Sequence, residues 1–333
     1  MVTKGSEVNV VIPFVRIEAS QNPNQRARRR GDPATPYFQA MLVSFASLRR
    51  FNEKAQLTLV TNASPPSPFA EQLSKLGVQI CIIPFAHRPP PGFSDRFTAS
   101  LYLLDALEQL TAEITVLIDP DILCIRPLDS MLSRSNGSVG VLQVDSTPDE
   151  DINGLTRRKS GELHALLGEP LDCPIHYGGE FYLIPIRHLK TLQARCMSAW
   201  ALALERHALG RSKFWTEEHI LSFALRGVPV TELGDFIRRI WTAHSFRQVD
   251  GNERDLTLWH LPAEKDRGFA SIYLAATDRE SWFWTLSDDA FRDHAGQAMG
   301  LHKRNFTRLA LGIAGHAVRR ARTRKSNVSV ELG

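Results

Sequence analysis

The 333-residue chain contains no uninterrupted run of the roughly 18 apolar residues that a membrane-spanning helix requires. Residues 1–6 are polar, so no secretory leader is expected. The four cysteines, Cys81, Cys124, Cys173 and Cys196, are scattered at spacings that suit neither a zinc site nor a disulfide framework. They fit small buried side chains in a reducing compartment, which predicts a cytoplasmic protein. No internal repeat and no low-complexity segment is present. Acidic residues are missing from one segment: residues 303–325 hold eight Lys/Arg and no Asp or Glu. Elsewhere 32 basic residues face 36 acidic ones, so the formal net charge of +4 belongs to this tail. That distribution argues against a body built to bind nucleic acid.

Against this background one stretch stands out. Ile114–Ile118 is an apolar run with the length and β-branching of a strand buried on both faces. It ends in Asp119-Pro120-Asp121, where proline removes a backbone donor and stops the ladder. Two acids at the carboxyl end of a central parallel strand sit where open α/β sheets bind ligands. They suit a hard divalent cation that bridges substrate phosphates, or else they are the solvated acids of a strand-ending turn.

In chain order, Val8–Phe14 reads as the first strand, with Pro13 near its end. The run Arg26-Ala-Arg-Arg-Arg30 is a solvated loop or a contact for anions. Residues 37–51 carry apolar side chains at helical spacing, Gln56–Thr61 is a strand, and residues 68–76 form a helix closed by Gly77. Another strand at 78–83 and a helix through Phe97, Leu101, Leu104 and Leu107, which Ser94 can cap, lead into the Asp-Pro-Asp strand. This alternation predicts an α/β fold with a mostly parallel sheet. Further on, Val139–Gln143 is a strand and 145–158 a polar loop. Gly178, Gly179 and Glu180 then stand before an apolar strand, where glycines admit close backbone approach or make a plain turn. Residues 189–209 read as a long helix. Thr216 is the expected N-cap of a helix opening with Glu217 and Glu218, one of which capping alone would explain. Residues 256–261 form a strand that carries His260, with Lys265 beyond.

Together, Asp119-Pro-Asp121, Gly178-Gly179, the Glu217-Glu218-His219 helix start, and Trp259-His260 followed by Lys265 resemble a GT-A glycosyltransferase of family 8, over about residues 8–268. The resemblance implies a Rossmann-like GT-A sheet. It implies Asp119, Asp121 and His260 as ligands of Mn²⁺ (or Mg²⁺), with Asp119 also contacting the nucleotide. It further implies Lys265, Arg96, Ser100, Pro13 and Phe14 at the donor, Gly178, Gly179 and Glu217 at the substrate, and Glu218 or Glu180 as the catalytic carboxylate. The sequence departs from the family pattern: His260-Leu-Pro-Ala-Glu-Lys265 lacks the usual glycine and shortens the spacing, Tyr177-Gly-Gly replaces Asn-Ala-Gly, and Glu-Glu replaces Asp-Gln.

The expectation is therefore a catalytic body over residues 7–290, a basic helical tail over 291–325, and a disordered end at 326–333. The expected activity is metal-dependent transfer, with retention, from a UDP-sugar to a saccharide or lipid-linked acceptor. A nucleotidyltransferase is one rival, but Ile12-Pro-Phe-Val-Arg16 holds no glycine-rich phosphate loop. A non-catalytic carbohydrate- or envelope-associated binding protein of the same fold is the other. In the tail, Phe306, Leu309, Ala310, Ile313 and Ala317 share a helical stripe flanked by arginines, the pattern of a helix lying on an anionic membrane surface or of one packed on the body with a frayed basic end. The enzyme would then be peripheral on the inner membrane face.

Overall fold

The computed structural model describes residues 8–17, 32–94, 96–243 and 246–302. The first half alternates as expected: β1 (Val8–Phe14), α1 (Thr35–Phe51), β2 (Gln56–Thr61), α2 (Phe69–Lys75) and β3 (Val78–Ile82). β1 pairs parallel with β2, and β2 with β3. The helices supply the long crossovers that parallel pairing needs. α1 buries Phe38, Met41, Leu42, Phe45 and Leu48, the residues whose spacing predicted it. A short 3₁₀ turn, Thr98–Leu101, precedes α3 (Tyr102–Leu107). The Phe97 N–H donates to Ser94 Oγ at 3.1 Å, but the N-cap of the turn is Phe97 and that of α3 is Leu101, neither with a side-chain cap, so Ser94 does not cap the helix as expected.

Next come β4 (Ile114–Ile118), β5 (Ile122–Cys124), α4 (Asp129–Ser135) and β6 (Val139–Gln143). The expected polar loop over 145–158 is instead partly folded, as a hairpin of β7 (Asp151–Ile152) and β8 (Leu155–Thr156). Asn153 and Gly154 close it with φ of 54° and 95°, the positive values that a two-residue hairpin turn demands. α5 (Arg157–Leu166) and β9 (Tyr177–Pro185) follow, then α6 (Ile186–Ala208) and α7 (Glu217–Ala224). The chain continues through β10 (Val230–Glu232), β11 (Ile237–Arg239), β12 (Trp241–Ala243), β13 (Phe246–Gln248) and β14 (Leu258–His260), and ends in α8 (Ala270–Thr277), α9 (Trp282–Thr285) and α10 (Asp288–Ala298).

The main sheet has seven strands in the order β10-β6-β9-β4-β1-β2-β3. It is mostly parallel, but β9 runs antiparallel to both of its neighbours. Gly178 and Gly179 accordingly lie inside a strand and not in a turn before one. A smaller sheet, β11-β14-β5, joins the chain after β4 to the histidine strand. β4 is buried on both faces: Val116 and Ile118 enter one apolar cluster, Leu117 the other. Trp259 anchors the first cluster, fully buried, with its indole N–H on the Glu253 carbonyl at 2.6 Å.

The body expected from the sequence ends at residue 290. That residue falls inside α10, whose Phe291 and Ala295, together with Met299 beyond it, are buried in the same core as β1 and α1. Apolar side chains at that depth make α10 part of the body. The tail over 303–325 and the end at 326–333 lie outside the described residues. Among the described residues no helix is long and apolar enough to cross a membrane.

Candidate active site

The site forms where β4 stops. Asp119 still donates its N–H to the Glu180 carbonyl of β9 at 3.0 Å, Pro120 ends the ladder, and the chain turns into the small sheet. There β14 pairs antiparallel with β5, His260 opposite Ile122, and Leu261 donates to the Asp121 carbonyl at 3.0 Å. This register carries the imidazole to the two carboxylates. His260 Nε2 lies 3.6 Å from Asp119 Oδ2 and 3.6 Å from Asp121 Oδ1, and one ligand atom from each residue falls within 4.8 Å of the others. Asp121 is completely buried, and among the described residues its Oδ1 has no hydrogen-bond partner. Its other oxygen pairs with the ammonium of Lys265, which opens a five-residue π-helical turn, Lys265–Phe269. Wide turns of this kind recur at functional sites because they re-aim a side chain.

The charges in this cluster are interlocked. Burial opposes ionisation of Asp121, but Lys265 and His260 hold it below the usual carboxylate range. Burial likewise disfavours the His260 imidazolium, yet Asp121 and Glu180 carry it up to about 9. Burial and the Asp121 charge push Asp119 upward. Its side chain is still 45% exposed, so the repulsion is the firmer of the two causes. An orphaned, buried carboxylate oxygen amid a second carboxylate and an imidazole fits a divalent cation, which replaces the proton on His260.

A second acidic group adjoins the first. The pairing of β9 with β6 shifts register between Val141 and Gln143, which face Tyr182 and Tyr177. Such irregularities redirect side chains. Glu180 is almost fully buried and both its oxygens are taken: Arg239 Nε donates to Oε1 at 2.7 Å, Arg239 Nη2 to Oε2 at 2.5 Å, and His260 Nδ1 lies 3.3 Å from Oε1. Burial resists its charge, but His260 and Arg239 keep it well below the carboxylate range. Glu218 is equally occupied. Its Oε2 accepts from Asn153 Nδ2 at 2.7 Å and lies 3.1 Å from His176 Nε2; its Oε1 accepts from the Gly179 N–H at 3.0 Å and from Arg239 Nη2 at 3.4 Å.

Glu217 differs. Its Oε2 is buried with no hydrogen-bond partner among the described residues, and the same holds for the nearby Tyr182 hydroxyl. Burial and the neighbouring Glu218 charge push the Glu217 carboxyl up to about 8. Neither acid caps α7. Thr216 Oγ1 accepts the His219 N–H, and the Thr216 N–H donates back to His219 Nδ1 at 3.3 Å. This is a capping box with an imidazole in the usual acid's place. Both glutamates are thereby left to the site.

The glycine pair makes room for these acids. A Cβ on Gly179 would sit 2.5 Å from Glu217 Oε1 and 2.8 Å from Glu218 Cγ, and one on Gly178 would collide with Glu180 Oε2. The close approach is by the protein's own side chains. Of the expected donor residues, Ser100 lies beside the Glu217 carboxyl and bonds the Phe97 carbonyl at 2.9 Å. Phe14 is a core residue whose ring is tilted against that of Tyr37 at 5.6 Å, and the Tyr37 ring in turn lies 5.6 Å from Lys265 Nζ. Pro13 is half-buried in β1, and Arg96 is exposed. Asn153, His176, Tyr182 and Arg239 were not anticipated. Only Asn153 carried a signal, the Asn-Gly pair of a tight hairpin.

No family model and no curated protein matches the chain. Among solved structures it is similar to the apo form of WbbM, a bifunctional glycosyltransferase, at 12% identity and a TM-score of 0.48 over 85% of this chain and 51% of that one. It therefore spans about half the length of WbbM. It is also similar to the galactosyltransferase LgtC in complex with donor and acceptor sugar analogues, at 12% identity and a TM-score of 0.46 over 87% of this chain and 95% of that one. A third is the glycosyltransferase GlyE of Streptococcus pneumoniae TIGR4, at 10% identity and a TM-score of 0.47 over 86% and 63% of the two chains.

Proposed function

We propose that this protein is a GT-A glycosyltransferase that moves a sugar from a UDP-sugar to a saccharide or glycolipid acceptor, with retention, using a divalent cation. The observation that carries this is the convergence of Asp119, Asp121 and His260 at the carboxyl end of β4, with the orphaned Asp121 Oδ1 among them. When bound, the cation acts as a Lewis acid on the departing diphosphate. Lys265 adds positive charge on the same side. The bond from the anomeric carbon to the diphosphate breaks, one to the acceptor oxygen forms, and the acceptor proton leaves on the diphosphate. Glu217, whose Oε2 is unpartnered, supports the positive charge developing at the anomeric carbon in its ionised form, which gains as pH rises through about 8. Glu218, with its donors, stays ionised and fixed, and Glu180 orients His260.

The test is donor hydrolysis and thermal shift with a panel of nucleoside diphosphate sugars, each with Mn²⁺ or with EDTA. The expected result is a rise in melting temperature and slow hydrolysis that both require the metal. Pyrophosphate release from a nucleoside triphosphate would instead favour a nucleotidyltransferase. Metal-independent sugar binding without hydrolysis would favour a binding protein, and no response to any donor would overturn the assignment.

The basic residues over 303–325 complete the proposal as a contact with anionic lipid, each contributing about 1 kcal/mol near such a surface. The full chain is expected to co-sediment with anionic but not neutral liposomes, and a truncation before Lys303 to lose this. Equal pelleting of the two would refute it.

A further inference from the structure

Arg239 ends β11, a three-residue strand that sets it beside His260 of β14 in parallel register. Its fork grips Glu180 through Nε and Nη2, and Nη2 also reaches Glu218 at 3.4 Å. Glu180 in turn stands 3.3 Å from His260 Nδ1. A carboxylate that takes the Nδ1 proton leaves Nε2 as the nitrogen with the lone pair, and Nε2 is the atom facing Asp119 and Asp121. Gly178 keeps the space clear, since a Cβ there would lie 3.1 Å from Arg239 Nη2 and against Glu180. A single guanidinium therefore touches both the carboxylate behind the candidate metal ligand and the acid of α7.

We propose that Arg239 is a positioning residue that joins the two halves of the site, locking Glu180 behind His260 and steadying Glu218 from the same fork. Its effect on catalysis rests on the glycosyl-transfer assignment, while its effect on metal binding follows from the contacts alone. A lysine offers a point charge and no planar fork, so it restores the charge without the bidentate grip. The Arg239 side chain keeps 30% of its surface exposed, so a guanidinium ion from solvent has a route into the space that Arg239→Ala leaves.

The experiment compares full-length wild type, Arg239→Lys, Arg239→Ala and Glu180→Gln. Mn²⁺ affinity is measured by titration calorimetry, kcat and KM are measured for the donor, and melting curves monitor the fold. Both Arg239 variants are expected to bind Mn²⁺ about 10–100-fold more weakly, the usual effect of removing a group that orients a metal-ligating histidine. Their kcat should fall more than KM rises. Guanidinium chloride at non-denaturing concentration should recover Mn²⁺ affinity in Arg239→Ala but not in Glu180→Gln. Arg239→Lys carries the test if the alanine variant does not fold. Wild type that binds no Mn²⁺ would overturn the metal assignment itself. Wild-type binding with Mn²⁺ affinity unchanged in a folded Arg239 variant, or a loss in Arg239→Ala that guanidinium does not recover, would overturn only the role of Arg239.

Discussion

Asp121→Asn is expected to abolish metal-dependent binding of nucleoside diphosphates and to lower transfer about a thousandfold, the rate worth of several kcal/mol of Lewis-acid stabilisation. Asparagine keeps the volume of a side chain with no exposed surface, so packing is preserved. What disappears is the charge at the oxygen that has no protein partner. The same substitution removes a counter-charge from Lys265 and His260, whose protonated forms Asp121 supports. A loss of stability on the order of 1–3 kcal/mol without metal follows from leaving those cations less compensated. Calorimetry with Mn²⁺ and UDP together is the deciding measurement. An Asp121→Asn protein that binds UDP with unchanged affinity and an unchanged Mn²⁺ requirement would remove Asp121 from the metal site.

The legibility of this site in the sequence follows how local each interaction is. Asp119 and Asp121 were readable because the strand, the proline and both acids are contiguous. His260 was readable only through its place at a strand end, since the β5–β14 pairing that brings it to Asp121 links residues far apart in the chain. Arg239 left no trace. Its strand has three residues, too few for a periodic pattern, and its partners Glu180 and Glu218 come from separate elements. The fold shows the same gradient. Buried parallel strands announce themselves as apolar runs, so β1, β2 and β4 were found with correct bounds. The direction of β9 was not legible, because an apolar run buried on both faces reads alike in a parallel or an antiparallel setting. The packing of α10 is hard to read because the helix opens with Ser287 and two acids, a polar start that hides the apolar residues Phe291 and Ala295. Glu180 is read from the sequence as a candidate catalytic carboxylate, and the two partners that hold it, Arg239 and His260, lie 59 and 80 residues away.

Glu217→Gln should divide stability from activity. In the folded protein the Glu217 carboxyl is pushed up to about 8 by burial and by Glu218, its neighbour on α7, with a further contribution from Asp119 after β4. Ser100 lies beside it and lowers it by less, and the Tyr182 hydroxyl on β9 faces the same acids without bonding them. Because the folded state holds this proton more tightly than the unfolded chain does, the associated stability is complete below the ordinary glutamate range. It is lost as pH rises through about 8. Glutamine has no proton to lose. The variant should therefore melt like wild type near pH 4 and gain steadily above it, by on the order of 4 kcal/mol at pH 8.5 in metal-free protein. Activity should move the other way above about pH 8, where Glu217 ionises, falling about a hundredfold to a thousandfold, because a neutral amide cannot supply the carboxylate's support of positive charge at the anomeric carbon. Nucleotide affinity should change less than kcat, since the Asp119 charge couples Glu217 to the metal cluster more weakly than burial and Glu218 act on it. Melting curves across pH 4–9, set beside kcat and UDP affinity for the same protein, check all three consequences. A variant that is uniformly less stable would show that Glu217 is an ordinary structural acid. One that keeps full kcat would remove it from the reaction.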